Sequence, residues 1–336
     1  MGRAIFRFPS INSVAILTFI CLVALPLVTS SRSAYSMVNM IAISGVFALS
    51  YNLLVGYTGI LSLGHALFFG SGAYIVGVTM RHLGPSPPML GLAIFGALIF
   101  AVAAGLFVGY LTLRLKAIYY AMVTLAVAEL FVIFAEKWRN LTGGLDGLNY
   151  KVPAAIREPV AVYYLILAFT AAVVLFTRRF LDSPTGKVIV AIRENEQRAS
   201  SLGFNVFRYK LIASVVAGVI SSLSGIVFAL ESRFVMSGVL SVEKTLEALL
   251  MTIIGGMGTL FGPLIGAAVV HLAGDWLAEL AKIHPIFERW PVLFGFVYIF
   301  IVLAVPGGVM GGWDRLAQWV ATKSGLRKPA KGNRNE

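Results

Sequence analysis

Ala191-Ile-Arg-Glu-Asn-Glu-Gln-Arg-Ala-Ser-Ser-Leu-Gly203 is a short, charged, helix-forming stretch set between two long apolar runs. Arg178, Arg179 and Lys187 precede it, and Arg208 and Lys210 follow. A positive segment of this kind sets the orientation of a membrane protein. So polar a helix kept outside the lipid is also a surface for touching something soluble. Both readings stand at this point, and both require the flanking runs to be membrane spans.

Composition says that they are. Hydrophobic residues make up 58% of the 336, and only 12% are charged, against about a quarter in an average soluble protein. Mean hydropathy is +0.86, and apolar runs of nearly spanning length recur along the chain. Ten candidate spans follow, at 11–30, 36–55, 66–82, 88–113, 117–135, 160–177, 208–230, 242–256, 259–280 and 290–306. The expected fold class is an all-α polytopic membrane protein of about ten transmembrane helices. Arg3 and Arg7 ahead of the apolar run Ile11–Val28 resemble a signal peptide. The run is long enough to cross a bilayer and more spans follow, so an uncleaved first helix is expected.

Charge then orients the spans. The 178–210 loop holds seven basic residues against three acidic, Arg3 and Arg7 lead the chain, and a basic tail ends it. An even number of spans separates the loop from each end, so all three positive segments fall on one side, the cytoplasmic one. The formal charge of +12 is therefore explained by topology, without nucleic acid. The expected layout is a cytoplasmic segment 1–10, a transmembrane domain 11–306 and a basic cytoplasmic tail 307–336. Loop 136–159 falls outside, and the glycines of Leu141-Thr-Gly-Gly-Leu-Asp-Gly147 predict a compact turn there.

Two stretches break helix rules within the spans. The first is Asn52-Leu-Leu-Val-Gly-Tyr-Thr-Gly-Ile-Leu-Ser-Leu-Gly-His65. Its Gly56, Gly59 and Gly64, interleaved with Asn52, Tyr57, Ser62 and His65, predict a pathway lining or a re-entrant turn. Irregular backbone at membrane depth is tolerated only inside protein or along a water-filled cavity. The second is Gly255-Gly-Met-Gly-Thr-Leu-Phe-Gly-Pro-Leu-Ile-Gly266, where Gly256, Gly258 and Gly262 either interrupt a helix or let two helices approach closely.

Other chemistries lack their residues. The single cysteine, Cys21, excludes a disulfide within the chain, and His65, His82, His271 and His284 have no paired ligand spacing, so no metal site is expected. Gly186-Lys187 has no glycine five residues before it and Val188 after it, so no phosphate-cradling loop is present. No nucleophile elbow or paired-carboxylate set appears, and no catalytic residue is expected. A self-sufficient carrier needs coupling acids in its spans. Acids in the spans are few, among them Glu129 and Glu247, the latter within one turn of Lys244.

Asn52-Leu-Leu-Val-Gly-Tyr-Thr-Gly-Ile-Leu-Ser-Leu-Gly-His-Ala66 followed by Phe69-Gly-Ser-Gly-Ala-Tyr74 resembles the signature of branched-chain amino-acid ABC transporter permeases, in particular the M-type subunit of the leucine/isoleucine/valine system. Ala121-Met-Val-Thr-Leu125, Thr142-Gly-Gly-Leu-Asp-Gly147, Ser183-Pro-Thr-Gly186 with Ala191-Ile-Arg-Glu-Asn-Glu196, and Gly255 to Pro263 agree in order and spacing. The resemblance implies a bacterial inner-membrane permease paired with a second permease chain. Two ATP-binding subunits would lie on the cytoplasmic side, and a periplasmic binding protein would deliver the solute. ATP would act only through those partners, with no cofactor bound by this chain. The 191–203 stretch then stands as the coupling helix, with Arg193, Glu194, Glu196, Arg198 and Gly203 as its contact residues. The family's usual Glu-Ala-Ala start reads Glu196-Gln197-Arg198 here, then Ala199. Branched-chain or related small amino acids are the solutes implied, with urea or amides as the alternative.

Overall fold

A bilayer offers backbone N–H and C=O groups no partner but one another, so the apolar runs fold as helices. A computed structural model of the protein describes residues 18–26, 31–115, 117–281, 295 and 307–312. Residues 18–26 are helical. The main helices are α1 (Arg32–Thr58), α2 (Ala66–His82), α3 (Pro87–Thr112), α4 (Ala117–Lys137) and α5 (Pro159–Asp182), followed by α6 (Pro184–Glu194) and α7 (Glu196–Ser201), then α8 (Val206–Ser232), α9 (Val242–Gly255) and α10 (Gly262–Ala281). Each candidate span from 36–55 to 259–280 falls on one of these. The span at 290–306, the segment 1–10 and the tail beyond 312 lie outside the described residues, apart from helical Gly295. Among the described helices α1, α3, α4, α5 and α8 are long and apolar enough to cross a membrane. With 17 and 14 residues, α2 and α9 fall short of the roughly 20 that a span needs.

Helix α1 is the axis of the bundle, flanked by α8, α10, α5 and α9. Lipid supplies no hydrophobic drive between helices, so small residues and interhelical hydrogen bonds hold them. A Cβ built on Gly45 would lie 3.2 Å from the Leu264 Cα, which marks a close crossing of α1 with α10. At the α2–α8 crossing, the Gly225 Cα lies against the Phe69 carbonyl and Gly218 lies against the Phe68 ring. Ser224 Oγ donates to the Ile43 carbonyl at 2.7 Å, and Thr252 Oγ1 to the Ala48 carbonyl at 3.1 Å.

The turn expected at 136–159 is compact. Gly143, Gly144 and Gly147 all adopt positive φ, and Leu148–Asn149 (β1) pairs antiparallel with Phe234–Val235 (β2). Tyr150 Oη donates to the Ala229 carbonyl at 2.7 Å; burial pushes this phenol up, which keeps it a donor. The loop is thereby fixed to the end of α8.

Candidate functional site

The first glycine stretch is a re-entrant turn. Gly59 closes α1 in the left-handed conformation, φ 73°, and the Ile60 N–H returns to the Leu54 carbonyl. The chain then climbs back along α1 to the level of Ser50, eight residues or about 12 Å above the end of the helix at 1.5 Å per residue. Tyr51 Oη donates to the Ser62 carbonyl at 3.0 Å, and His65 Nε2 lies 2.8 Å from Ser50 Oγ. Ser62 and His65 are buried, and His65 lies among the Phe47, Tyr51 and Phe68 rings. Its Nδ1 has no partner among the described residues. Because α2 starts inside the bundle, its first N–H groups need protein partners. Thr245 Oγ1 of α9 accepts from the Ala66 N–H at 2.9 Å. Thr124 Oγ1 of α4 accepts from the Leu63 N–H at 3.2 Å. Gly64 packs directly on the Thr124 carbonyl.

The second stretch is both a break and a close packing. Gly256 and Gly258 take φ of 123° and 77°, where a Cβ is disfavoured. Gly262 does not break a helix. It opens α10, where a Cβ would lie 2.6 Å from the Gly256 carbonyl oxygen. Gly255 and Gly266 lie against the backbone of Gly262 and Met251, so α9 and α10 meet without intervening side chains. Beyond them, a Cβ on Gly308 would lie 2.6 Å from the Gly256 nitrogen, which brings residues 307–312 onto this turn.

One side chain joins the two breaks. Asn52 Oδ1 accepts from the Gly258 N–H at 2.8 Å, and Asn52 Nδ2 donates to the Thr259 carbonyl at 2.8 Å. A fully buried amide thus satisfies a donor and an acceptor that the irregular turn leaves open. Gly56 has no side chain because Asn52 and Gly258 occupy that space; its Cβ would sit 2.7 Å from the Gly258 nitrogen.

The polar stretch differs from expectation in two ways. It is two helices, because Asn195 is extended and its Oδ1 accepts from the Arg198 N–H at 2.8 Å, capping α7. Arg193 is also not wholly given to solvent. A Cβ built on Gly59 would lie 3.5 Å from Arg193 Cγ, and one on Gly258 would lie 3.0 Å from Arg193 Nη1. The Arg193 side chain, exposed to solvent on its outer face, therefore lies along both breaks, its Cγ beside Gly59 and its guanidinium beside Gly258. Tyr57 lies within electrostatic reach of Arg193 and of Asp182. Buried Ile189, Ile192 and Ala199 anchor the two short helices, while Glu194, Glu196, Arg198 and Gly203 face outward. Gly203, at φ 89° with open space around it, serves to stop α7. Glu196 pairs with Lys210 of α8 at 2.7 Å.

What sequence reasoning missed here are the partners: Thr124, Thr245, Thr259 and Ser50. They are ordinary residues whose role arises only from distant contacts. Lys244 and Glu247 form the expected local pair at 2.6 Å, with His271 Nε2 2.9 Å from Ser44 Oγ beside them. No group of three or more His, Cys, Asp or Glu that could hold a metal occurs among the described residues. The arrangement places a polar surface, the Arg193 side chain and two glycine turns tied by one amide in continuous contact.

Comparison with known proteins places the chain in a family. The family model described as branched-chain amino acid transport system / permease component matches residues 33–306. The high-affinity branched-chain amino acid transport system permease protein LivM of Salmonella typhimurium is 25% identical over 281 residues, covering 74% of this chain and 64% of its own length. The probable LivM of Methanocaldococcus jannaschii is 24% identical over 311 residues, 79% of this chain and 89% of its own. The autoinducer 2 import system permease protein LsrC of Yersinia enterocolitica is 28% identical over 188 residues, 53% of this chain and 51% of its own. The chain thus spans about two thirds of the Salmonella relative. No solved structure matches.

Proposed function

The chain belongs to the branched-chain amino acid transport permease family, and from that premise we propose that it is a membrane-spanning subunit of an ATP-driven importer for branched-chain or related small amino acids. Its partners are a second permease chain, two ATP-binding subunits and a periplasmic binding protein that delivers the solute. It is not an enzyme, and ATP is hydrolysed in the partner subunits. It lies in a bacterial inner membrane with both termini cytoplasmic.

The observation that carries this reading is the seat of Arg193 on Gly59 and Gly258. Closure of the ATP-binding subunits moves α6 and α7 through the outward face of Glu194, Glu196 and Arg198. Arg193 passes the displacement to the two turns, and Asn52 makes those turns move together. Glycines at positive φ lack the side chains that would resist it. Nucleotide shifts an inward–outward equilibrium only through contacts that differ between the two states, and this surface supplies them. Asn52, Gly56, Tyr57, Gly59, Ser62, Gly64 and His65, with Gly256, Gly258 and Gly262, form the moving region beside the solute path.

Glu196→Arg tests the reading. Glu196 is exposed at the surface of α7, where an ion pair such as that with Lys210 contributes about 1 kcal/mol or less to stability, so the variant inserts and folds. Uptake by the reconstituted importer is expected to fall to background, because a cation replaces the docking carboxylate. Uptake at the wild-type rate with intact ATPase activity sinks the coupling role. Orientation has its own check. In a Cys21→Ser background, Ser200→Cys is expected to react with an impermeant maleimide only from the cytoplasmic side. Labelling of intact cells from the periplasm overturns the topology.

A further inference from the structure

The far end of α1 carries a feature that the coupling site does not use. Where α1, α5 and α8 diverge, a cavity of about 160 Å³ opens, lined among others by Arg32, Tyr35, Asn39, Val162, Glu231 and Arg233. By volume it holds about five waters at their liquid share of ~30 Å³ each, which suits a small solute and not a peptide. The cavity is lined by residues 32–39 of α1, which runs to Thr58, so it is about 30–40 Å along the axis from Gly59 and Arg193. It lies on the opposite face of the membrane from α6 and α7, the side from which the binding protein delivers solute in the reading above.

Its chemistry is two-signed. Arg32 is the first residue of α1, and Pro159 is the first of α5, with no side-chain cap on either helix. Both helices therefore turn a positive dipole end toward the cavity. The Arg32 and Arg233 guanidiniums add to this, and Glu231 supplies the one carboxylate of the lining. None of the three belongs to an ion pair among the described residues. Asn39 is 98% buried and lines the cavity with a side-chain amide.

Arg233 is moreover the one non-glycine residue at positive φ among those described, at 56°. Such backbone is unfavourable for a residue with a Cβ and persists where surrounding structure enforces it. Here the Arg233 N–H donates to the Ala229 carbonyl at 3.1 Å, its carbonyl accepts from the Tyr150 N–H at 3.3 Å, and Nη2 donates to the Arg157 carbonyl at 3.2 Å. The outer loop thus holds this guanidinium at the rim.

We infer that this cavity is an entry site for a zwitterionic amino acid. The solute carboxylate meets Arg32, Arg233 and the α1 terminus, its ammonium meets Glu231 and the Asn39 amide oxygen, and its apolar side chain rests on Tyr35 and Val162. The inference rests on the importer reading for the nature of the solute and for the outward direction of the cavity.

The test is equilibrium binding of radiolabelled leucine to the purified complex of this chain with its partners in lipid nanodiscs, without binding protein. Saturable binding displaced by valine is expected. Arg32→Gln and Glu231→Gln each weaken it at least about tenfold, the scale of one charge-assisted hydrogen bond. Arg233→Gly does so too while keeping a residue that accepts positive φ. Arg139→Gln, in the exposed Arg139–Asp146 pair away from the cavity, binds as wild type and serves as the control. Isocaproate, which lacks the ammonium, competes poorly with wild type and as well as leucine in Glu231→Gln. Three results overturn the site: no saturable leucine binding to wild type, undiminished binding in the three variants, or isocaproate equal to leucine in wild type. A complex that still transports with its binding protein after any of these leaves the importer reading standing, so the two claims fail separately.

Discussion

Asn52→Leu is expected to abolish uptake and to lower the thermal midpoint of the detergent-purified protein. The substitution keeps the branching at Cγ and removes both hydrogen bonds to the 256–261 turn. Each bond contributes about 1 kcal/mol net, but a buried donor or acceptor left unpaired costs about 1–3 kcal/mol. Two such groups, the Gly258 N–H and the Thr259 carbonyl, are stranded together. The loss of roughly 2–6 kcal/mol is a large part of the 5–15 kcal/mol that folded domains possess. Asn52→Asp separates the two roles. It keeps the acceptor for Gly258 and sets a carboxylate oxygen against the Thr259 carbonyl, so it is expected to transport poorly as well. Wild-type uptake by either variant removes Asn52 from the route between the two breaks.

Gly64→Ala is expected to be worse for folding. Its Cβ would fall on the Thr124 carbonyl, and backbone cannot swing away as the end of a long side chain can. Either the re-entrant turn or α4 must shift, and overpacking of a dense interior costs about 1–3 kcal/mol or more. The turn also holds the start of α2 through Leu63 and Ala66, so the shift exposes N–H groups at membrane depth. The measurement is the yield of monodisperse protein and its melting midpoint, with Gly91→Ala alongside. Gly91 lies in α3 with nothing within 4 Å of an added Cβ, so Gly91→Ala is expected to be neutral or slightly stabilising. Equal behaviour of the two alanine variants contradicts the close packing at Gly64.

The helices were legible because a span needs about twenty apolar residues wherever it falls. The turns at Gly59, Gly143 and Gly258 were legible because positive φ selects glycine. The local pair of Lys244 with Glu247 followed from helical spacing. What stayed hidden is long-range. Nothing near Asn52 announces a partner 206 residues away, and nothing in Arg193 announces that its side chain lies along Gly59 and Gly258. The interruption at Asn195 was masked by helix-forming neighbours, although asparagine is a favoured N-cap. Arg233 gave no sign at all, since its left-handed backbone comes from tertiary contacts and not from local propensity.

The central claim is that this chain works only with ATP-binding subunits seated on α6 and α7. Mild-detergent purification of the tagged protein from its native membrane, with identification of the proteins that accompany it, tests this most directly. The account predicts recovery of a second permease and of ATP-binding subunits from wild type, and loss of the ATP-binding subunits from Glu196→Arg. Recovery of this chain alone, in a preparation that still transports after reconstitution, would mean a self-sufficient carrier and contradict it.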